Sequence, residues 1–367
     1  MAGGLTIGNI PSKRPSLAST ILCAASPEET PFITRVRKGS PISQMDHKYF
    51  VEDRPGRVLT GATDGEDVTE YEAGGPRFEI SVRAQEFRRT YKVGQQSQNV
   101  VTDEAVPNQI GKLRLDYGLE MLKDVETRAL SNLASQADQG MKQNGSRMGS
   151  VGYGLSTSAD AMADNPIPVA IRIPVDQVYT GTVAAFTESP ITDMLELRRN
   201  RSGNSQELVA LVGTKLQRQF DNFENYIANA PAGFTVVAQT ITRDMEGRKI
   251  SRAIRRGVRF YENSFGTVEV VISDFIGATS ETAPVTDQKR GFFLDFDESR
   301  DRDGKDAGLM IKPYRGSEED FRGKVHNFNG AVVLPLPNAG GGPREMVKYI
   351  TMLQVGDPRA HLKINAT

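Results

Sequence analysis

The residues able to do chemistry in this chain are few and scattered. Three histidines, His47, His326 and His361, lie far apart, and no pair has the spacing that puts two imidazoles on one helix face for a metal. The one cysteine, Cys23, sits in a proline-broken stretch, and no Gly-x-Ser-x-Gly elbow occurs, so a nucleophile activated by a base has little support. "DFDESRDRDGKDAG", residues 295–308, resembles a calcium loop. Placing Gly304 at the loop's glycine puts Ser299, Asp301 and Asp303 on the first ligand positions. The closing bidentate carboxylate then falls on Met310, which cannot bind, so a solvated acidic turn is expected. "VGYGLSTS" has glycines but neither a following lysine nor a dinucleotide spacing, which makes it a weak phosphate cradle.

Two features keep other chemistry in view. Strict alternation in "FLDFD" puts Asp295 and Asp297 on one strand face, as paired carboxylates of a hydrolase would lie or as a plain solvated face would. "RDMEGRKISRAIRRGVR", Arg243 to Arg259, is strongly basic, and Arg248, Arg252, Arg255 and Arg256 fan around an Ile250/Ile254 stripe if it is helical. That suits a polyanion patch, or an amphipathic segment laying its arginine stems over a neighbour. No aromatic residue interleaves with those arginines, so a stacking platform for single strands is unsupported. No catalytic residue, metal site or cofactor is expected.

Composition sets the frame. The chain has 367 residues, 38% of them apolar and 25% charged, with 45 basic against 46 acidic side chains. Near-neutrality gives no general affinity for nucleic acid or membrane. A lone cysteine excludes an internal disulfide framework and fits a reducing compartment. Leu17 to Ala25 makes a poor export signal because Ser19 and Thr20 interrupt it, and no run approaches the ~18 apolar residues of a membrane span. Cytoplasmic synthesis is the expectation.

The elements that would carry these residues follow from punctuation and period. Residues 1–44, broken by Pro11, Pro15, Pro27, Pro31 and Pro41, read as an arm. "DHKYFVED" and "RFEISVRAQEFRRTYKV" read as two strands flanking a polar, glycine-rich tip, an extended hairpin that cannot pack alone. Apolar residues from Ile110 to Ala137 recur every three or four positions, which predicts a helix over 108–143 about 50 Å long. Helices are expected in "SPITDMLELRRNRSGN" and "TKLQRQFDNFENYI". Strands are expected in "ELVALVG", in the hairpin "RFYENSFGTVEVVI", in "GFFLDFD", in "AGLMIKPYRG" and in "EMVKYITMLQVGDPRAHLKINAT". The class is α+β.

This order of elements resembles the major capsid proteins of tailed bacteriophages of the Hong-Kong-97 type. The closest likeness is to a capsid family long catalogued as a domain of unknown function. The strings that carry it are "ILCAASPEETPFITRVRKG", "DYGLEMLKDVETRALSN", "ELVALVGTKLQRQF", "FYENSFGTVEVVISDFI" and "LQVGDPRAHLKINAT". The wording after the second hairpin, Ser273-Asp274-Phe275-Ile276, departs from the family's, and the stretches 222–247 and 315–345 look longer than necessary.

The resemblance implies an arm over 1–44, an extended loop hairpin over 45–95 and a peripheral domain with a spine helix over 96–185. It further implies an inserted axial domain over 186–290 and a return to the peripheral sheet over 291–367. Copies would assemble as pentamers and hexamers into an icosahedral or prolate head shell, a virion component made in the bacterial host cytoplasm. Separate scaffolding, decoration and portal proteins and packaged double-stranded DNA would be partners; a membrane would not. Contacts between subunits are expected at Phe32, Ile33, Arg35 and Arg37 on the arm and at Arg54, Arg57, Asp64, Glu66 and Arg77 on the hairpin. Truncating Phe32 should then impair assembly more than folding. The alternatives are an encapsulin-like compartment shell or, from other classes, an unfamiliar hydrolase or a nucleic-acid-binding protein.

Overall fold

Strand β6, Glu207–Val212, is apolar at every position after the first, so it must be covered on both faces. In the computed structural model it is. The structure describes residues 30–53, 74–93, 109–140, 145–159, 167–202, 207–226, 260–278, 287–296, 308–314, 332–337 and 342–367. Within them β6 lies inside a six-stranded sheet, parallel to β8 (Gly266–Ile272) and antiparallel to β9 (Arg290–Leu294). β7 (Phe260–Asn263) closes one edge as the expected hairpin partner of β8, while β13 (Leu362–Asn365) and β5 (Val178–Tyr179) extend the other.

One face of this sheet is covered by helices α4 (Glu188–Ser202) and α5 (Thr214–Tyr226), through Ile191, Met194, Leu195, Leu216 and Phe220. Alternation sorts the strand residues: Leu208, Ala210 and Val212 face those helices, and Leu211, with Phe292 and Leu294 of β9, faces the central core. Chain boundaries do not match sheet boundaries. β9 and β13, both from the C-terminal third, complete the sheet to which 207–272 contributes three of the six strands.

The second sheet is built on β12 (Arg344–Gln354). It pairs with β4 (Gln85–Lys92) on one side and, on the other, with β11 (Val332–Leu336) and β10 (Met310–Pro313). The expected single strand over 345–367 is two strands in different sheets, parted at Gly356 (φ 77°) and by the 3₁₀ turn Pro358–Ala360. β11 falls in the stretch 315–345, which looks longer than necessary in the sequence. Pro335 and Pro337 disguise it, and Pro335 is tolerated because β11 pairs on one side only.

The long helix is shorter than its apolar period predicts. α2 spans Gln109–Ala129, roughly 30 Å, and does not run on to 143. Its end is fixed by contacts that a helix could not keep. Gly277 N–H donates to the Leu130 carbonyl at 2.8 Å, and Arg128 reaches the carbonyls of Met148 and Ala134, both at 2.7 Å. Ser131 and Asn132 leave the helical path, so Leu133 and Ala137 continue the period by coincidence. α2 is lashed to the second sheet by two forked ion pairs, Arg89–Asp124 (2.6 Å) and Arg114–Glu345 (2.7 Å).

The hairpin strand over 77–93 is likewise two strands. β3 (Arg77–Arg83) pairs with β2 (Asp46–Glu52), and after Ala84 the chain enters the second sheet as β4. Buried parity changes there, from Phe78, Ile80 and Val82 to Phe87 and Tyr91. That flip is the sequence signal for the break.

Candidate functional site

Three places concentrate polar contacts, and the first is the root of the arm. Pro31 at the helix start and Phe32, Ile33 and Val36 on one side make a short helix, α1 (Pro31–Arg35). It sits against α2, where Glu126 is fully buried and its two oxygens accept the N–H groups of Phe32 and Ile33, both at 2.9 Å. Burial pushes the Glu126 carboxyl up to about 7, with the two N–H donors pulling the other way. Phe32 is fully buried, its ring 6.1 Å from that of Phe296. Beyond the helix, β1 (Arg37–Lys38) pairs parallel with β10, and Ile42 bridges to Tyr314.

Arg35 forks onto Glu269 of β8 at 2.7 and 2.8 Å, joining the arm root to the six-stranded sheet. That hydrogen bonding holds the guanidinium above, and the carboxyl below, its ordinary value.

These contacts correct the expectation for the arm. Phe32 belongs to its own subunit's core, so it is not a contact with a neighbour, and Arg35 is engaged within the chain. Ile33 is partly buried against the same core. Arg37 is partly buried on the two-residue strand β1.

The second place is the β2–β3 ribbon. Its inner face, Tyr49, Val51, Phe78 and Ile80, packs on Ile167 and Ile171. Its outer face is a ladder of three cross-strand ion pairs: Asp46–Arg83 (3.0 Å), Lys48–Glu79 (2.5 Å) and Glu52–Arg77 (2.7 Å). In the middle of that charged face stands Phe50, 59% exposed and opposite Glu79. Phe50 escaped the sequence reading. Its signal was parity, since it shares a face with Asp46, Lys48 and Glu52. Asp53, at the tip end of the ribbon, is gripped by Arg359 at 2.6 Å, and Arg359 also binds Asp357. Burial lowers the Arg359 guanidinium, but those two carboxylates outweigh it and raise it. Arg77 is therefore a ladder residue, while Arg54, Arg57, Asp64 and Glu66 lie outside the described residues.

The third place tests the paired carboxylates. Asp295 is fully buried and pairs with Arg198 at 2.7 Å, while Arg198 Nε also donates to the Ala360 carbonyl at 2.6 Å. Asp295 N–H donates to His361 Nδ1 at 3.1 Å, which leaves the imidazole proton on Nε2, facing the Val355 carbonyl at 3.0 Å. Asp295 thus serves a buried joint between α4, β9 and the 358–360 turn, and it does not face solvent as half of an acid/base pair. Asp297 lies outside the described residues, as do Cys23, His326, Ser299, Asp301, Asp303 and the basic residues Arg248, Arg252, Arg255 and Arg256.

The glycines of "VGYG" do not cradle an anion. They form a buried turn of helix, α3 (Val151–Gly154), whose Gly152 carbonyl accepts from Lys363 Nζ at 2.8 Å. Among the described residues, no cluster of three or more His, Cys, Asp or Glu could hold a metal ion. A cavity of about 20 Å³ beneath the ribbon, lined by Tyr49, Ile80, Tyr153, Ile167 and Val355 among others, has room for about one water. No described helix is long and apolar enough to cross a membrane.

Residues 5–301 match the protein-family model described as SU10 major capsid protein. No curated protein matches the sequence. Among solved structures, the chain is similar to the cyanophage A-1(L) capsid asymmetric unit, with TM-score 0.62 and 14% identity, over 96% of this chain and 97% of that one. It is similar to the capsid of cyanophage P-SCSP1u, with TM-score 0.57 and 9% identity over 96% and 93%. The mature capsid of bacteriophage PhiM1 gives TM-score 0.53 and 10% identity over 97% and 92%. At such identities the likeness establishes the fold alone, a Hong-Kong-97-like capsid fold of mixed α+β class.

Proposed function

Because the chain belongs to the SU10 major capsid protein family, and so is a structural, non-enzymatic subunit of a phage head shell, we propose how its parts divide that task. Residues 1–44 are the arm and 45–95 the extended loop hairpin. Residues 96–185 and 291–367 supply most of the peripheral domain with α2 as its spine, and 186–290 form the axial domain, its sheet completed by β9 and β13. Copies join as pentamers and hexamers that close into an icosahedral or prolate shell, through surfaces that recur on every copy.

The observation that carries this reading is the outer face of the ribbon. Three ion pairs satisfy its charges within the subunit and leave an exposed aromatic at its centre. An aromatic anchor ringed by internally neutralised polar groups suits a contact between proteins. Ladder charges closed in this way offer little to a polyanion. On this reading Phe50 anchors the ribbon on a neighbouring copy, with Arg77, Arg54, Arg57, Asp64 and Glu66 around it and Ile33 and Arg37 contributing from the arm root. Arg248, Arg252, Arg255 and Arg256 serve the packaged double-stranded DNA on the inner face. Scaffolding, decoration and portal proteins are separate chains that meet the assembled shell.

Phe50→Glu tests the reading. Sedimentation of the variant should show folded subunits that do not close into particles. Normal particle yield from Phe50→Glu would remove the ribbon from the interface.

A further inference from the structure

One side of α2 packs on the central core. Met121 and Val125 are buried there, and Ile110, Leu113 and Tyr117 lie against it. A different side carries Glu126, Leu122, Leu119 and Leu115, which recur at intervals of four, three and four and so form one row along the helix. That row changes character along its length. At Glu126 it is fully buried, because α1 sits there with the N–H groups of Phe32 and Ile33 on the carboxylate. Leu122 is half-buried. Leu119 and Leu115, about 10 and 16 Å farther from the seat of α1, are 49% and 53% exposed. The row is thus an apolar strip whose one end is already covered by the arm root.

We propose that the apolar stretch Leu17 to Ala25 of the same chain docks on this strip, so that the arm continues past α1 as a strap along α2. The stretch lies outside the described residues. What supports it as the occupant is where the described chain begins. α1 starts at Pro31 with its first turn on Glu126, so the chain before it departs from the covered end of the row. The eight residues from Leu22 to Thr30 span up to ~26 Å when extended, more than the distance back to Leu119.

Chemistry agrees with reach. Leu17, Ile21 and Leu22 are the large apolar side chains of the stretch, and burying them with Leu115 and Leu119 removes both sets from water. Lys13 and Arg14 stand just before the stretch, and the exposed Asp116 borders the row. A tether this short holds the stretch at high effective concentration beside its own row, which favours its own subunit over a neighbour. The arm thereby gains a task within the subunit that goes beyond the division of labour proposed above.

Cys23 is the chain's one cysteine and lies in the stretch, so it can report where the stretch sits. Glu120, exposed beside the row, takes the second thiol without removing a leucine. The full chain carrying Glu120→Cys, diluted until copies do not associate, is given oxidised glutathione. A disulfide between Cys23 and the thiol at 120 should form within one chain, seen as a fast-migrating monomer and as linked peptides by mass spectrometry. Adding Ile21→Asp and Leu22→Asp should slow it ~10-fold or more, because the tether remains and the apolar grip does not. Leu115→Asp with Leu119→Asp should do the same from the side of the row, and decides the comparison if the first variant does not fold. An intrachain rate that neither pair of substitutions changes would overturn the strap, since the tether alone would explain it. So would the absence of a disulfide, or covalent dimers in its place, which would give the row to the arm of another copy.

Discussion

The backbone N–H of Phe32 donates to Glu126 Oε1 at 2.9 Å across 94 residues of sequence, and both residues are fully buried. That contact ties the arm root into the subunit's own core. The described body of the subunit reaches back before the first long strand. The arm root, Pro31 to Lys38, is already part of the central core and of the second sheet. What the arm does beyond the subunit has to be done by residues other than Phe32.

Phe32→Ala should accordingly cost folding stability, about 3–5 kcal/mol, because it empties a ring-sized space beside Phe296 in the central core. Chemical denaturation of the unassembled subunit measures it. A midpoint unchanged by the substitution would return Phe32 to the interface.

Acid should loosen the arm root through Glu269. Arg35 holds the Glu269 carboxyl below its ordinary value. A lowered group stabilises above its unfolded value and loses that contribution as pH falls through its folded one. Arm-root protection against hydrogen exchange should therefore decline as pH falls below the ordinary carboxylate range, and Glu269→Gln should remove that decline. Exchange profiles of the two proteins, compared over the acid range, check it.

Arg198→Ala should be among the most damaging single changes, costing about 3–5 kcal/mol, because it takes the guanidinium away from the fully buried Asp295. Replacing both, as Arg198→Met with Asp295→Leu, should recover most of the loss, since the pair is a joint and not a catalytic device. Thermal denaturation of the single and double variants gives the comparison.

Gly152→Ala should destabilise by about 1–3 kcal/mol. A Cβ there would fall 2.1 Å from Asn132 Oδ1 and 2.6 Å from the Ser131 carbonyl, where the end of α2 passes. Denaturant titration of the folded variant would show it, and wild-type stability would mean that Ser131 and Asn132 can move aside.

The sequence carried the local elements well wherever one period met one environment. β6, α5 and the β7–β8 hairpin stand where their apolar patterns and the Ser264-Phe265-Gly266 turn put them. It misled where one pattern served two environments. The apolar period of α2 persists past Ala129, but Arg128 and Gly277 hold backbone carbonyls there in a path no helix follows. Ala84 and Gly356 each divide a continuous-looking strand between two partners. At Ala84 the apolar parity flips, so that division could have been read; the partner each half takes could not.

The candidate site was less legible than the fold. Arg35–Glu269 and Phe32–Glu126 join residues 234 and 94 positions apart, and nothing local marks either pair. Phe50 was legible, as the one aromatic on the polar parity of its strand. The absence of catalytic spacing pointed away from an enzyme, and the fate of Asp295 agrees with that.

Electron microscopy of the purified full chain at high concentration, alone and co-expressed with a scaffolding protein, shows whether the chain builds a shell. Closed shells or rings of five and six subunits are expected, lost in Phe50→Glu while its subunit stays folded. A compact monomer under every one of these conditions would contradict it.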